Sequence, residues 1–120
     1  MANQGGCSLS KRDLQVTLET LSGVAANPNV YGTIVIGNGC EVVQASLLAG
    51  RIREKTCKPL EVLVIREEEG SLNTAAHAAK LARKMRKQAD QLPLEEADIS
   101  QLILGTECGG SDPTSGLVAN

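Results

Sequence analysis

Thr33-Ile34-Val35-Ile36-Gly37-Asn38-Gly39-Cys40-Glu41 is the stretch on which the fold turns. Its first four residues are all β-branched and form one nearly continuous apolar run, which predicts a buried strand over about residues 30–37. Gly37-Asn38-Gly39 then reads as a tight turn, because two glycines and an asparagine tolerate backbone conformations that other residues resist. A helix is expected to follow from about Glu41 to Lys55, burying Val43, Leu47, Leu48 and Ile52. A strand that ends in a glycine turn and runs into a helix is the opening of a β-α-β unit.

The stretch has an echo downstream. Leu102-Ile103-Leu104 reads as another buried strand, and Gly105-Thr106-Glu107-Cys108-Gly109-Gly110-Ser111-Asp112-Pro113 follows it. Again a glycine-rich loop carries a thiol and carboxylates together after an apolar run. Gly5-Gly6-Cys7-Ser8 near the start is a third glycine-cysteine loop.

Working outward, Ser8 or Ser10 caps a helix that starts near Lys11, with Leu14, Leu18, Leu21 and Ala25 on one face. Asn27-Pro28-Asn29 stops it. Lys58-Pro59 breaks the chain before a second strand, Leu60 to Ile65, and the acidic Glu67-Glu68-Glu69-Gly70-Ser71 loop follows. A third helix is expected from about Asn73 to Gln91, presenting Ala75, Ala78, Ala79, Ala82, Met85 and Ala89 for close approach to a sheet. Pro93 and Glu95-Glu96-Ala97-Asp98 link it to the third strand, about 101–106.

The order is α-β-α-β-α-β. It predicts an α/β fold: a single three-layer, Rossmann-like domain over residues 1–120, with a small parallel sheet. In such sheets the loops after the strands share the carboxyl edge, where ligands bind. That rule places Cys40 and Cys108 on one edge and Cys57, which precedes a strand, on the other. The end occupied by Cys7 is not fixed by this reasoning.

Composition narrows the function. The 120 residues are 42% hydrophobic but include one Tyr, no Phe and no Trp, so the core is aliphatic and a base-stacking nucleic-acid surface is disfavoured. The net charge of −2 suggests neither a nucleic acid nor a membrane as partner. No apolar run is long enough for a membrane span, and residues 1–10 lack the apolar core of a signal peptide, so the cytoplasm is the expected compartment. Lys80, Arg83, Lys84, Arg86 and Lys87 read as a solvated helix face, and His77 as an ordinary surface or boundary histidine.

Cys7, Cys40, Cys57 and Cys108 form no C-x-x-C pair, and the one histidine is distant in sequence. The bland reading is four small, partly buried thiols. The sharper one starts from position: Cys40 and Cys108 sit at expected helix starts, where thiolate is favoured. A nucleophilic cysteine needs a base beside it, and His77 is poorly placed for that. Metal ligation by Cys40, Cys108 and Cys7 suits the soft thiolates better, with the carboxylates of Glu41, Glu107 and Asp112 nearby. Iron, or an iron–sulfur cluster, accepts such a donor set. Gly37-Asn38-Gly39 departs from the dinucleotide fingerprint, since Val42 stands at its third glycine position. Free backbone N–H groups at the start of the second helix would still hold an anion. A non-catalytic Rossmann-like module binding an anion or a nucleotide is therefore the alternative reading.

Asn38-Gly39-Cys40-Glu41 with Gln44, then Gly105 to Asp112, then Ser115-Gly116-Leu117-Val118-Ala119-Asn120, resemble the central region of altronate and galactarate dehydratases, a group that includes sulfolactate sulfo-lyase. The second motif is long and specific, and the resemblance spans nearly the whole chain. It implies a metal-dependent hydro-lyase, usually with iron, that converts a sugar acid to a 2-keto-3-deoxy acid. Glu41, Glu107 and Asp112 are the catalytic candidates, as bases or as metal ligands. By that resemblance Gly39, Gly109, Gly110, Ser111 and Asn120 contact substrate, and the thiols ligate the metal. Two departures stand out. Ser8 replaces a glycine of the first loop, and Gly70-Ser71-Leu72-Asn73-Thr74 lacks the basic residue that the family often carries there. The ending at Asn120 leaves Leu117 and Val118 without a covering helix. It reads as a piece of a larger enzyme, with the remaining domains as partners, a homo-oligomer as one possible assembly, and little activity on its own.

Overall fold

The computed structural model describes residues 7–105 and Thr114. Helix α1 spans Lys11–Ala26, strand β1 Thr33–Gly37, helix α2 Ala45–Lys55, strand β2 Leu60–Val64 and helix α3 Ser71–Ala89. Ser10 caps α1: its hydroxyl accepts the Asp13 N–H at 3.2 Å and donates to the Asp13 carboxylate at 2.6 Å. Asn27 ends the helix and accepts the Asn29 N–H through its side chain at 2.9 Å, a local turn that competes with further helix.

β1 and β2 pair in parallel, with Thr33 opposite Leu60, Val35 opposite Val62 and Gly37 opposite Val64. Two glycines show which helix covers which face. A Cβ on Gly32 would lie 3.0 Å from the Met85 sulfur in α3, and one on Gly37 would lie 2.8 Å from the Ala45 Cβ in α2. Positions five apart in a strand point to opposite faces, so α2 and α3 lie on opposite sides of the sheet. On the α2 side Ala25, Val35, Ala45 and Ile52 form the core, packed by Leu48, Leu60 and Val62. Leu63 and Met85 are buried as well.

Helix α1 lies against α2. Ser22 and Ala49 are almost fully buried, and small side chains there let the helix backbones come close. The outer rim of this contact is ionic: Glu19 receives Arg51 and Lys55, the latter at 2.7 Å, and Arg51 also reaches Glu54.

The expected third strand does not form over its described residues. A 3-10 turn, Ile99–Gln101, occupies its start, capped by Asp98, whose carboxylate accepts the Ser100 N–H at 2.8 Å. Residues 102–105 have no regular structure, and Leu102, Ile103 and Leu104 are 72%, 95% and 80% exposed. An apolar run becomes a strand only when a sheet edge lies alongside to accept its backbone, and here none does. The sheet among the described residues has two strands. The expected α-β-α-β-α order is present, while among the described residues the last strand, and with it the Rossmann-like arrangement that it would complete, does not form.

Two helix boundaries also move. α2 begins at Ala45 rather than Glu41, so Leu47 lies 47% exposed and Ala45 and Ala49 take the buried places. α3 runs from Ser71, directly after Gly70 at φ +113°, and ends at Ala89. Of its expected alanine face, Ala75 and Ala82 are exposed, while Thr74 and Met85 are buried. The five basic residues of α3 are all exposed, as a solvated face requires.

Candidate functional site

The site grows from the turn after β1. The Ile65 N–H donates to the Gly37 carbonyl at 2.9 Å and so extends the parallel ladder to the point where both chains leave the sheet. Beyond it Gly39 has φ +98°, a left-handed conformation that favours glycine. The turn leaves Cys40 exposed at the carboxyl edge, where the strand order predicts it.

Cys7 comes to the same place. Its thiol lies 3.6 Å from the Cys40 carbonyl oxygen, and the Asn38 amide reaches the Cys40 sulfur at 3.4 Å. Two cysteines 33 positions apart in sequence thus meet at one edge, the Cys7 thiol against the Cys40 backbone. Cys57 follows α2 and precedes β2, at the other end of the strands, as expected.

Glu41 is held differently from the sequence expectation. Its carboxylate folds back onto the turn and accepts the Gly39 N–H at 2.7 Å and the Cys40 N–H at 3.1 Å. Hydrogen bonds from its own N–H first, and from those of Gly39, Cys40 and Asn38, favour the charged form. They outweigh burial and lower its pKa below the usual carboxylate value. The backbone donors expected to hold a ligand anion are therefore occupied by the chain's own carboxylate. Cys40 is also not at a helix start, since Gln44 is the residue that precedes α2.

These groups close one end of a cavity of about 660 Å³ that runs along the free edge of β1. Leu21, Val24, Ile34, Leu48 and Ile52 line its apolar length, and Cys7, Asn38, Cys40 and Glu41 its polar end. A polar ligand suits only that end.

On the carboxyl edge, the loop after β2 and the start of α3 bring two further groups: His77, which the sequence marks only as a surface or boundary histidine, and Arg66, which sequence reasoning passed over. The His77 ring nitrogen Nδ1 sits 2.8 Å from the Glu68 carboxylate, so the histidine is oriented rather than loose. Arg66 lays its side chain over Gly39: a Cβ there would stand 3.1 Å from the Arg66 Cδ. The loop after β2 was already expected on the carboxyl edge, and that placement was the available signal for both. Glu107, Cys108, Gly109, Gly110, Ser111, Asp112 and Asn120 lie outside the described residues.

As a test of metal fit, the described residues bring together two thiols, which are soft donors suited to iron or zinc. No cluster of three His, Cys, Asp or Glu side chains able to hold a metal occurs among them. The Glu41 oxygen that faces the turn is already bonded. The donor chemistry suits such a metal, and a metal held here would need further ligands from outside the described residues.

The family model described as "D-galactarate dehydratase/Altronate hydrolase, second domain" matches residues 1–90. The chain belongs to this family. The match ends just past α3, so the exposed Leu102–Leu104 run lies beyond it.

Among curated relatives, (2R)-sulfolactate sulfo-lyase subunit beta of Chromohalobacter salexigens is 42% identical over 90% of this chain and 27% of its own length. Galactarate dehydratase (L-threo-forming) of Escherichia coli is 30% identical over 88% of the chain and 21% of its own length. Altronate dehydratase of Bacillus subtilis is 28% identical over the whole chain and 24% of its own length. The chain thus spans about a quarter of the length of these relatives. No solved structure matches it. No helix among the described residues is long and apolar enough to cross a membrane.

Proposed function

We propose that this chain is the thiol-bearing domain of a cytoplasmic, metal-dependent lyase that eliminates water from an aldonate or aldarate and leaves a 2-keto-3-deoxy acid. The observation that carries this reading is the meeting of Cys7 and Cys40 at the carboxyl edge, in a domain of the galactarate dehydratase/altronate hydrolase family. Cys7, Cys40 and Cys108 hold the metal, iron by preference, and further domains complete the pocket. When bound, the metal polarises the departing hydroxyl and the substrate carboxylate.

The chain's own groups divide the remaining work. A base takes the proton on the carbon next to the carboxylate, the electron pair moves into the new double bond, and the departing hydroxide leaves as water once protonated. Glu107 and Asp112 are the candidates for this base. Glu41 is a poorer one, because the backbone N–H groups that lower its pKa also weaken its hold on a proton. Its carboxylate instead fixes the turn that presents Cys40. By the family resemblance, Gly39, Gly109, Gly110, Ser111 and Asn120 are assigned to the substrate hydroxyls.

A second reading is favoured by the 42% identity to the sulfo-lyase subunit. The same proton abstraction would then expel sulfite instead of hydroxide. A purely anion-binding module is less well supported, since Glu41 already fills the backbone nest that such a module would use. The test is to purify the full-length natural protein without oxygen, supply ferrous iron and assay altronate, galactarate and sulfolactate. Turnover of at least one acid, lost in Cys40→Ser, supports the lyase reading. Absence of turnover on all three rejects it.

A further inference from the structure

We infer that Arg66 is the residue that grips the anionic head group of the acid at this edge, a carboxylate or a sulfonate. The inference rests on the lyase reading for its ligand class, and on geometry for its place. Arg66 lies two residues past the end of β2, and its backbone is fixed on both sides. The Ile65 N–H binds the Gly37 carbonyl at 2.9 Å, and the Glu67 and Glu68 N–H groups bind the Val64 carbonyl at 2.9 and 3.1 Å. Its stem packs on Gly39, where a Cβ would stand 3.1 Å from Cδ and 3.5 Å from Cγ. A side chain at position 39 would crowd the arginine stem and Val64. Gly39 thus serves two needs, a left-handed backbone and a seat for Arg66, and it directly precedes Cys40.

Charge and supply of donors lead to the same residue. Arg66 is exposed, and among the described residues its guanidinium has no ion-pair or hydrogen-bond partner. Of the carboxylates on the neighbouring turn and loop, Glu41 is engaged by backbone N–H groups and Glu68 by His77, while Glu67 and Glu69 form no ion pair with the arginine. The Gly39 and Cys40 N–H groups are used up by Glu41, so at this turn a side chain is the remaining donor for an incoming oxyanion. A guanidinium offers two parallel N–H donors to a carboxylate or sulfonate, and its anchored stem lowers the entropy lost on binding. Gripped there, the acid lies beside the Cys7–Cys40 pair.

Binding and turnover are measured together on the full-length natural protein and on its Arg66→Gln and Arg66→Lys variants. Galactarate, altronate and sulfolactate are titrated by calorimetry and assayed with iron. Arg66→Gln should raise Kd and KM about tenfold or more, the scale of a lost charged hydrogen bond, with kcat changed far less. Arg66→Lys should fall between, keeping the charge and losing the fork. A larger loss for sulfolactate assigns the grip to the sulfonate, and an equal loss assigns it to the carboxylate. Unchanged Kd and KM in Arg66→Gln overturn the inference. If the wild type binds an acid through Arg66 but turns none over, the lyase reading fails and the grip stands. If it binds none of the three, both fall.

Discussion

Gly37 and Glu41 show how tightly the thiol turn is specified. A Cβ at position 37 would meet the Glu41 carboxylate oxygen at 2.5 Å and the Ala45 side chain at 2.8 Å. Gly37→Ala should therefore cost about 1–3 kcal/mol as overpacking, read from urea unfolding, and should loosen the turn that carries Cys40. Glu41 makes a prediction in pH. Its folded pKa lies below the ordinary value of 4.5, so its stabilising contribution is present above that value. The contribution fades as pH falls through the lowered folded value. Glu41→Gln should be less stable than wild type at neutral pH, and the gap should close in acid. A gap that persists at pH values where the carboxylate is protonated would contradict this account of the turn.

Each element is held by a thin core, so single truncations should be felt. Ile52 is 2% exposed and packs among Ala25, Val35 and Ala45, and Ile52→Ala should lose about 2–5 kcal/mol in equilibrium unfolding. The α1–α2 contact adds an ionic rim. Lys55 and Arg51 hold the Glu19 carboxyl below its usual range, so Glu19→Gln should lower Tm at neutral pH and low salt, with the difference shrinking in concentrated salt.

The two strands, three helices, a serine cap at Ser8 or Ser10 and the stop at Asn27 were legible in the sequence, because periodicity and turn chemistry act locally. The third strand was misread because Leu102-Ile103-Leu104 has strand composition, and composition cannot say whether a sheet edge lies alongside. The start of α2 was misread because the Glu41 carboxylate takes the turn's N–H groups, a contact that spacing does not reveal. Cys40 and Cys57 were placed on opposite edges correctly by strand order alone. The approach of Cys7 to Cys40 and the seat of Arg66 depend on packing between segments far apart in sequence, and they needed coordinates.

At the scale of the whole molecule, the described residues build the thiol edge but not its enclosure. The cavity along β1 is open, and the described residues offer two thiols where a stable metal site needs more ligands. Residues 1–120 alone should therefore show no dehydration of altronate or galactarate above background in a purified assay. Substantial turnover by this chain, lost in Cys108→Ala, would show the site to be complete within it. The most direct test of the thiol edge is the metal content of the full-length natural protein purified without oxygen, compared with its Cys7→Ser and Cys40→Ser variants. The account predicts stoichiometric iron in the wild type and loss of most of it in both variants. A wild type that binds no metal after reconstitution, or variants that retain it in full, would contradict a metal centre at the Cys7–Cys40 edge.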